Sequence, residues 1–469
     1  MDPRHLLDRY VPRGAILLTV LTFGSYIMGL VRDRILVRTF GAGAELDAFN
    51  AAFVIPELSL GIVVASGVAA PFVPMFMGLR RENEPDAQTF GQTILTLAVL
   101  AMGVVSLLLF IFAPLTVPIV ASGFGPAQQE LYIQLFRVMT LTPIIFAASL
   151  VLGEVLVADR RFLYYGLAPI LYNAGLAFGA LVLSPEFGIF GAAIGAVIGA
   201  CLHLAIRVVG IRGTAFRIRA RLALQVAGLR EFFRLALPKT ASSPIEPLTF
   251  LFFTNVASTL VAGSITSVSL ARNFQSVPVS LVGVAFSLAV FPALATAYAA
   301  GDKRTFGRLV RVNTLSIGLL TTCAAIGLIV IGERAIDVLL GGGLFDAEDV
   351  QRTALVLSVF AISIPFESLG HLYSRAIYAT HHTRLQVVAS LIGFAVTIGA
   401  TLATVDTLDI VAIPFGFSAG SAVRFVLLVA VLLPRVRRMP DPPAEASEPA
   451  EPAGPGLSPS LTPGSSGPR

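Results

Sequence analysis

Residues 29–49 read GLVRDRILVRTFGAGAELDAF and place Arg32, Asp33, Arg34, Arg38, Glu45 and Asp47 between two of the most apolar runs of the chain. Of 469 residues, 55% are hydrophobic and 13% charged, and the mean hydropathy is +0.83. Soluble domains carry a charged share of about 25%. The totals describe a polytopic membrane protein, in which so many charges in one short segment need a physical reason.

A spanning helix needs about 20 mostly apolar residues. About twelve runs qualify: 14–31, 47–78, 88–113, 130–157, 163–183, 187–209, 237–262, 265–299, 312–332, 353–379, 385–404 and 409–433. Several hold Pro and Gly, which membrane helices tolerate when neighbours satisfy the freed backbone groups. The expected fold class is an all-α membrane protein. Cys201 and Cys323 lie inside apolar runs and read as small core residues, neither a disulfide nor a metal pair.

Loop charge tests this count. Arg4, Arg9 and Arg13 precede the first span, in a polar, basic leader without a signal-cleavage pattern. Arg80 and Arg81 follow span two, and Arg160 and Arg161 follow span four. Six arginines from Arg212 to Arg234 follow span six. Lys303, Arg304, Arg308 and Arg311 follow span eight, Arg384 follows span ten, and Arg435, Arg437 and Arg438 follow span twelve. Connections 114–128, 184–187 and 263–264 have no base, and 333–352 is mostly acidic. The positive-inside rule puts both termini in the cytoplasm.

Only the 29–49 segment breaks the pattern. Either Arg34 and Arg38 snorkel to an interface, or span one continues as a helix through Arg38 to the FGAG turn and Arg32 points into a hydrated cavity. A charge at membrane depth costs about 3 kcal/mol or more unless it is so placed, which makes Arg32 a functional candidate.

A weak internal repeat divides the chain. IPELSLGIVVASGVAAPFVPMF in span two and VPVSLVGVAFSLAVFPALATAY in span eight match Pro56 and Gly61 to Pro278 and Gly283 at the same offset. Duplicated six-span units build many transporters, with the site between the halves. The expected organisation is a cytoplasmic leader at 1–13, an N-lobe at 14–209, an amphipathic linker at 210–236 on the inner leaflet, a C-lobe at 237–433 and a disordered cytoplasmic tail at 434–469.

GLVRD…TFGAGAELDAFNAAFVIP…FVPMF resembles the first hairpin of the lipid II flippases of peptidoglycan synthesis, the MurJ/MviN family. LAPILYNAG at 167–175, LLGGGLFDAEDV at 339–350 and IYATHHTRLQV at 377–387 resemble later family segments in the right order. The resemblance implies the two six-helix lobes of the MOP exporter superfamily, located in the bacterial cytoplasmic membrane. Family members often have fourteen spans, and twelve are read here. The implied function is flipping of lipid II, an undecaprenyl-pyrophosphate-linked precursor, by alternating access around a cationic cavity. Arginine suits a diphosphate because its planar fork makes charge-assisted, bidentate bonds and keeps its charge.

Arg32 falls on a family cavity arginine and Asp47 on the family's important aspartate, which makes both cavity candidates; the plainer role for Asp47 is to pair with Arg32 or Arg34. Arg34 and Arg38 join them as cavity candidates, and Thr266 keeps a hydroxyl where the family has serine. The departures are Tyr26, Asn273 and Ser276, which stand where the family has charged residues. Arg272 is one place out of register, a turn of about 100° on a helix. The cavity reads as less charged than usual.

Glu154 and Arg375 occupy comparable places in the two halves and are candidates for a gate pair, unless each reaches its interface alone. Glu246 and Glu367 are acids near or within apolar spans and are candidates for ion coupling. His371, His381 and His382 do not make a metal set and read as a solvated turn. No P-loop, G-x-S-x-G or H-E-x-x-H occurs. The expectation is a transporter without cofactor or metal, not an enzyme. Its expected partners are a lipid-linked oligosaccharide, membrane lipids and the cell-wall synthesis machinery, with no nucleic acid. The alternatives are a related exporter for another polyprenyl-linked oligosaccharide, a cation-coupled exporter, or a non-transporting cell-wall assembly partner.

Overall fold

The structure, a computed structural model, describes residues 13–439 apart from 243, 244 and 381. The leader before Arg13, most of the tail and His381 lie outside the described residues. The regular structure of the described residues is helical, with a single isolated bridge between Gly342 and Phe345.

The first lobe comprises α1 (Arg13–Phe40), α2 (Ala44–Leu60), α3 (Ser66–Glu82), α4 (Glu84–Ile111), the short α5 (Val117–Val120), α6 (Pro126–Met139), α7 (Leu141–Ala158), α8 (Phe162–Phe178), the short α9 (Ser184–Phe187) and α10 (Ile189–Ile211). A connection then leads to α11 (Leu229–Ser242). The second lobe comprises α12 (Ile245–Ser258), α13 (Ser264–Pro278), α14 (Ala285–Ala299), α15 (Lys303–Leu340), α16 (Ala347–Ala379), α17 (Thr383–Leu408) and α18 (Ala412–Arg438). Ten described stretches are apolar and long enough to cross a membrane. The last, Arg384–Arg437, is 54 residues long and takes in most of both α17 and α18, whereas α12, at 14 residues, is shorter than a full span.

Sequence explains several local features. Span one is one unbroken helix to Phe40, because no Pro or Gly turn intervenes before Gly41, whose φ of 69° ends it. A π turn follows each repeat proline: Gly61–Ala65 after Pro56 and Val279–Val284 after Pro278. The matched Gly61 and Gly283 therefore lie in equivalent irregular turns. Within the first lobe, α8 and α10 approach backbone to backbone. A Cβ built on Gly195 would lie 2.6 Å from the Cα of Gly179. Glycine spaced every four residues permits this approach in lipid, where packing rather than hydrophobicity drives association.

Each lobe has its own apolar core, around Phe72, Phe90 and Met102 in the first and Phe306, Leu372 and Leu428 in the second. The largest core cluster belongs to both. Phe49, Tyr132 and Phe136 of the first lobe join Phe253, Phe345 and Phe360 of the second. It lies at the end holding the turns near 41–44, 121–125, 259–263 and 341–346, opposite the arginine-rich connections.

Within the linker, residues 212–228 are not helical, and α11 begins at Leu229. One expectation is corrected. Cys201 and Cys323 are exposed on the helix surfaces. An apolar run cannot tell core from lipid, because both are apolar.

Candidate functional site

A cavity of about 590 Å³ lies between the lobes, walled by α1, α2, α8, α12 and α13. Arg32 reaches it from the middle of α1. Its Nε and Nη2 donate to Asp33 Oδ1 at 3.0 and 2.7 Å, and its Nη1 donates to Asn173 Oδ1 at 2.8 Å. Asn173 in turn donates to the Pro169 carbonyl at 3.0 Å. A guanidinium has five N–H donors, so two of those on Arg32 remain for a ligand. Asn273 donates from the second lobe to the other oxygen of Asp33, at 3.3 Å. Asn173 sits in the LAPILYNAG motif, but only the fold brings it to Arg32.

The cavity is not cationic. Its charged lining is one guanidinium, Arg32, against the carboxylates of Asp33, Glu57 and Glu246. Glu57 lines the cavity although its position in the sequence does not single it out. It stands one residue after Pro56 on α2, faces the cavity and lies within electrostatic reach of Arg32. The signal is the acid itself, within the apolar run FVIPELSL.

Asp47 does not pair with Arg32 or Arg34. From the first turn of α2 it crosses to the second lobe, where its carboxylate accepts hydrogen bonds from Gly263 N at 2.7 Å and from the Thr266 amide and hydroxyl at 2.8 and 2.7 Å. It thus caps α13 from outside, placing a negative charge at the positive end of the helix dipole. Asn50 also donates to the Thr266 hydroxyl, at 3.1 Å. Gly263 has φ 91°, and a Cβ there would strike the Ala42 carbonyl. Only glycine fits this crossing.

Arg34 and Arg38 also leave the cavity. Arg34 donates to the carbonyls of Val338 (2.7 Å) and Leu339, and Arg38 to those of Leu340 (3.3 Å) and Gly341. Both meet the unsatisfied C-terminal carbonyls of α15, where cations are favoured. Leu344 N donates to the Arg38 carbonyl at 3.0 Å, and Ala42 N donates to Asp349 at 3.2 Å. Gly123 N donates to Ser258 at 3.1 Å, and Asn255 donates to the Ile119 carbonyl at 3.1 Å. All these bonds join the lobes at the end where the shared apolar core lies. At the arginine-rich end, the bonds from Arg80 to Asp159 and from Arg161 to Gly210 and Gly213 stay within the first lobe.

Arg272 turns away from the central cavity into a second one of about 210 Å³ inside the second lobe. It makes two 3.1 Å hydrogen bonds to Glu367, bonds Gln275, and stacks over Phe417 at 4.7 Å. Because α13 is regular here, the one-residue offset points Arg272 inward and Asn273 toward the cavity. Glu367 is held by Arg272 and by Gln275 Nε2 at 2.8 Å. Glu246 lines both cavities, largely exposed, 3.8 Å from Arg272. Thr266 lines the central cavity, whereas Ser276 turns its hydroxyl onto the Asn273 carbonyl.

The expected gate pair is not brought together. Glu154 lies in the field of Arg207 within the first lobe, and Arg375 in that of His371 and Tyr378 within the second. Similar places in a repeat put residues in equivalent sites of separate lobes, not opposite one another. His371 lines the second cavity rather than a turn, while His382 lies in the turn before α17.

The chain matches the family model described as lipid II flippase MurJ over residues 36–444. It is 30% identical over 417 residues to a probable lipid II flippase MurJ of Thermotoga maritima, covering 88% of this chain and 84% of that one. It is 24% identical to the lipid II flippase MurJ of Burkholderia cenocepacia, covering 91% and 85%. Among solved structures, a lipid II flippase MurJ in an inward closed conformation aligns with TM-score 0.77 at 20% identity, covering 89% of this chain and 87% of that one. An inward-facing multidrug resistance MATE transporter of the MOP superfamily aligns with TM-score 0.76 at 14% identity, covering 88% and 95%. By the family model and the Thermotoga relative, this two-lobed membrane protein belongs to the MurJ family of lipid II flippases.

Proposed function

We propose that this chain flips lipid II, a polyprenyl-diphosphate-linked cell-wall precursor, across the cytoplasmic membrane, with both termini and the arginine-rich connections in the cytoplasm. It acts as a transporter and not as an enzyme. The observation that carries the reading is Arg32: a guanidinium within a candidate span, oriented by Asp33 and Asn173, that lines the inter-lobe cavity with two of its five N–H donors not engaged. These donors engage a diphosphate oxygen pair, while the sugar-peptide head fills the cavity and the tail stays in lipid. The Asp47 cap on α13 and the Arg34 and Arg38 contacts with α15 hold the outer end shut. Breaking them while the cytoplasmic end closes alternates the access.

The test is rescue of a strain depleted of its own lipid II flippase. The wild-type chain should restore growth. Arg32→Ala should abolish rescue at unchanged protein level in the membrane. Full rescue by Arg32→Ala would remove Arg32 from the mechanism.

A second reading is a MOP exporter of cationic solutes, favoured by the three carboxylates that face one guanidinium in the cavity. It requires that deletion sensitise cells to cationic dyes and that the chain fail to rescue the depleted strain.

A further inference from the structure

Between span six and α11 the chain does something its arginines alone do not explain. From Ala215 to Ala223 it runs extended along α4, pinned by polar side chains of that helix. Gln88 donates to the Ala215 carbonyl at 2.9 Å and accepts from Arg217 N at 3.0 Å. Gln92 donates to the Arg217 carbonyl at 2.8 Å. Thr96 accepts from Arg221 N at 3.0 Å, and Thr93 accepts from Ala223 N at 3.3 Å. From Gln88 to Thr96 the helix rises about 12 Å. The uninterrupted apolar run of α4 begins at Leu97, one residue beyond Thr96. The strap therefore climbs from the basic end of the bundle to the hydrocarbon boundary.

Extended backbone puts successive side chains on opposite sides. Arg217, Arg219 and Arg221 alternate with Ile218, Ala220 and Leu222, and all six are exposed. The three guanidinium groups have no side-chain hydrogen bond or ion pair among the described residues. Ile218, Leu222 and Leu224 are 44%, 54% and 64% exposed. Beyond the strap, α11 buries Leu229, Phe232 and Ala236 on the first lobe and leaves Arg230, Phe233, Arg234 and Leu235 outside. From Arg212 to Arg234 there are six arginines and one acid, Glu231.

We propose that residues 215–224 form a built docking strap for anionic phospholipid of the leaflet at the basic end. Arg217, Arg219 and Arg221 bind headgroup phosphates, while Ile218, Leu222 and Leu224 enter among the first methylenes. Two features argue for this occupant. The strap's depth is that of the headgroup boundary, and its unpaired positive charge complements phosphate diesters. The side chains of α4 hold its backbone before any lipid arrives, so little ordering entropy opposes binding. The inference is independent of what the central cavity carries.

The chain has no tryptophan, so Leu222→Trp introduces a single fluorophore into the strap. The full-length variant is reconstituted in phosphatidylcholine nanodiscs containing phosphatidylglycerol. Bromine is carried on one lipid class or the other at equal bulk fraction. Each arginine near an anionic surface enriches acidic lipid about five-fold, so brominated phosphatidylglycerol should quench several-fold more than brominated phosphatidylcholine. Adding Arg217→Gln, Arg219→Gln and Arg221→Gln should equalise the two, with an unchanged gel-filtration profile showing that the fold is kept. Equal quenching before the arginines are replaced would overturn the proposal, as would absence of quenching by either lipid. A phosphatidylglycerol preference that survives the triple replacement would overturn it as well.

Discussion

The Asp47 carboxylate on α2 accepts both the backbone N–H and the hydroxyl of Thr266 on α13, at 2.8 and 2.7 Å. A residue of one lobe therefore caps a helix of the other. The helix cannot move away without leaving a buried charge and its own first amides unpaired. In the proposed cycle this capping aspartate is a latch between the lobes, and the charges of the hairpin alone do not name its partners.

Asp47→Asn should open this latch. Hydrogen bonds to a charged group contribute about 1.5–3 kcal/mol each, and the dipole term disappears with the charge. A net loss of about 2 kcal/mol shifts an open–closed ratio roughly thirty-fold. Val54→Cys on the cavity wall, with Cys201 and Cys323 replaced by serine, provides the readout. An impermeant maleimide added from the Asp47 end should label it at least ten times faster in the Asp47→Asn background, on the order of that shift. An unchanged labelling rate would rule out the latch.

The three arginines of the first hairpin should separate in binding. Arg32→Gln should weaken binding of a polyprenyl diphosphate lipid by about ten-fold or more, the loss of one charge-assisted contact. Arg34→Gln and Arg38→Gln should leave it within about two-fold, because their guanidinium groups lie on α15 carbonyls. A titration of the purified protein measures all three. Equal losses would show that Arg34 or Arg38 reaches the ligand.

Glu57→Gln should strengthen diphosphate binding several-fold, since a like charge leaves the cavity that Arg32 must make attractive. The gain should shrink as salt is raised. For a cationic cargo the same change should weaken binding, so the sign of the effect separates the two functional readings.

Arg272 and Glu367 form a buried pair, and removing one partner strands the other. Arg272→Ala or Glu367→Ala alone should cost about 3–5 kcal/mol of stability. Arg272→Met combined with Glu367→Leu should cost clearly less than the sum. Thermal unfolding in detergent follows both. Additive losses would mean that the pair is not coupled. Because Glu367 is engaged by both Arg272 and Gln275, Glu367→Gln should leave any cation dependence of transport unchanged.

Residues 29–49 mark the boundary between what local sequence can say and what it cannot. Hydropathy and loop charge identify the spans because the length of an apolar run and the sign of its flanks are local properties. The continuation of α1 through Arg38 to a glycine turn is local too, as is the repeat seen in Pro56 and Pro278. Fold class and the inward direction of Arg32 were accessible in this way. The destinations of Arg34, Arg38, Asp47 and Arg272 were not. Their partners on other helices lie from 95 to 305 positions away in the chain, and spacing along one helix does not name them.

Sequence by itself determined the helical membrane architecture and the family, because each rests on composition and order along the chain. Tertiary structure alone decided that the cavity holds one guanidinium among three carboxylates, that two arginines cap a helix, and that a third is locked inside the second lobe. The physical reason is that a charge in a membrane protein is satisfied by whichever helix lies beside it. Which helix that is depends on how the two lobes close together.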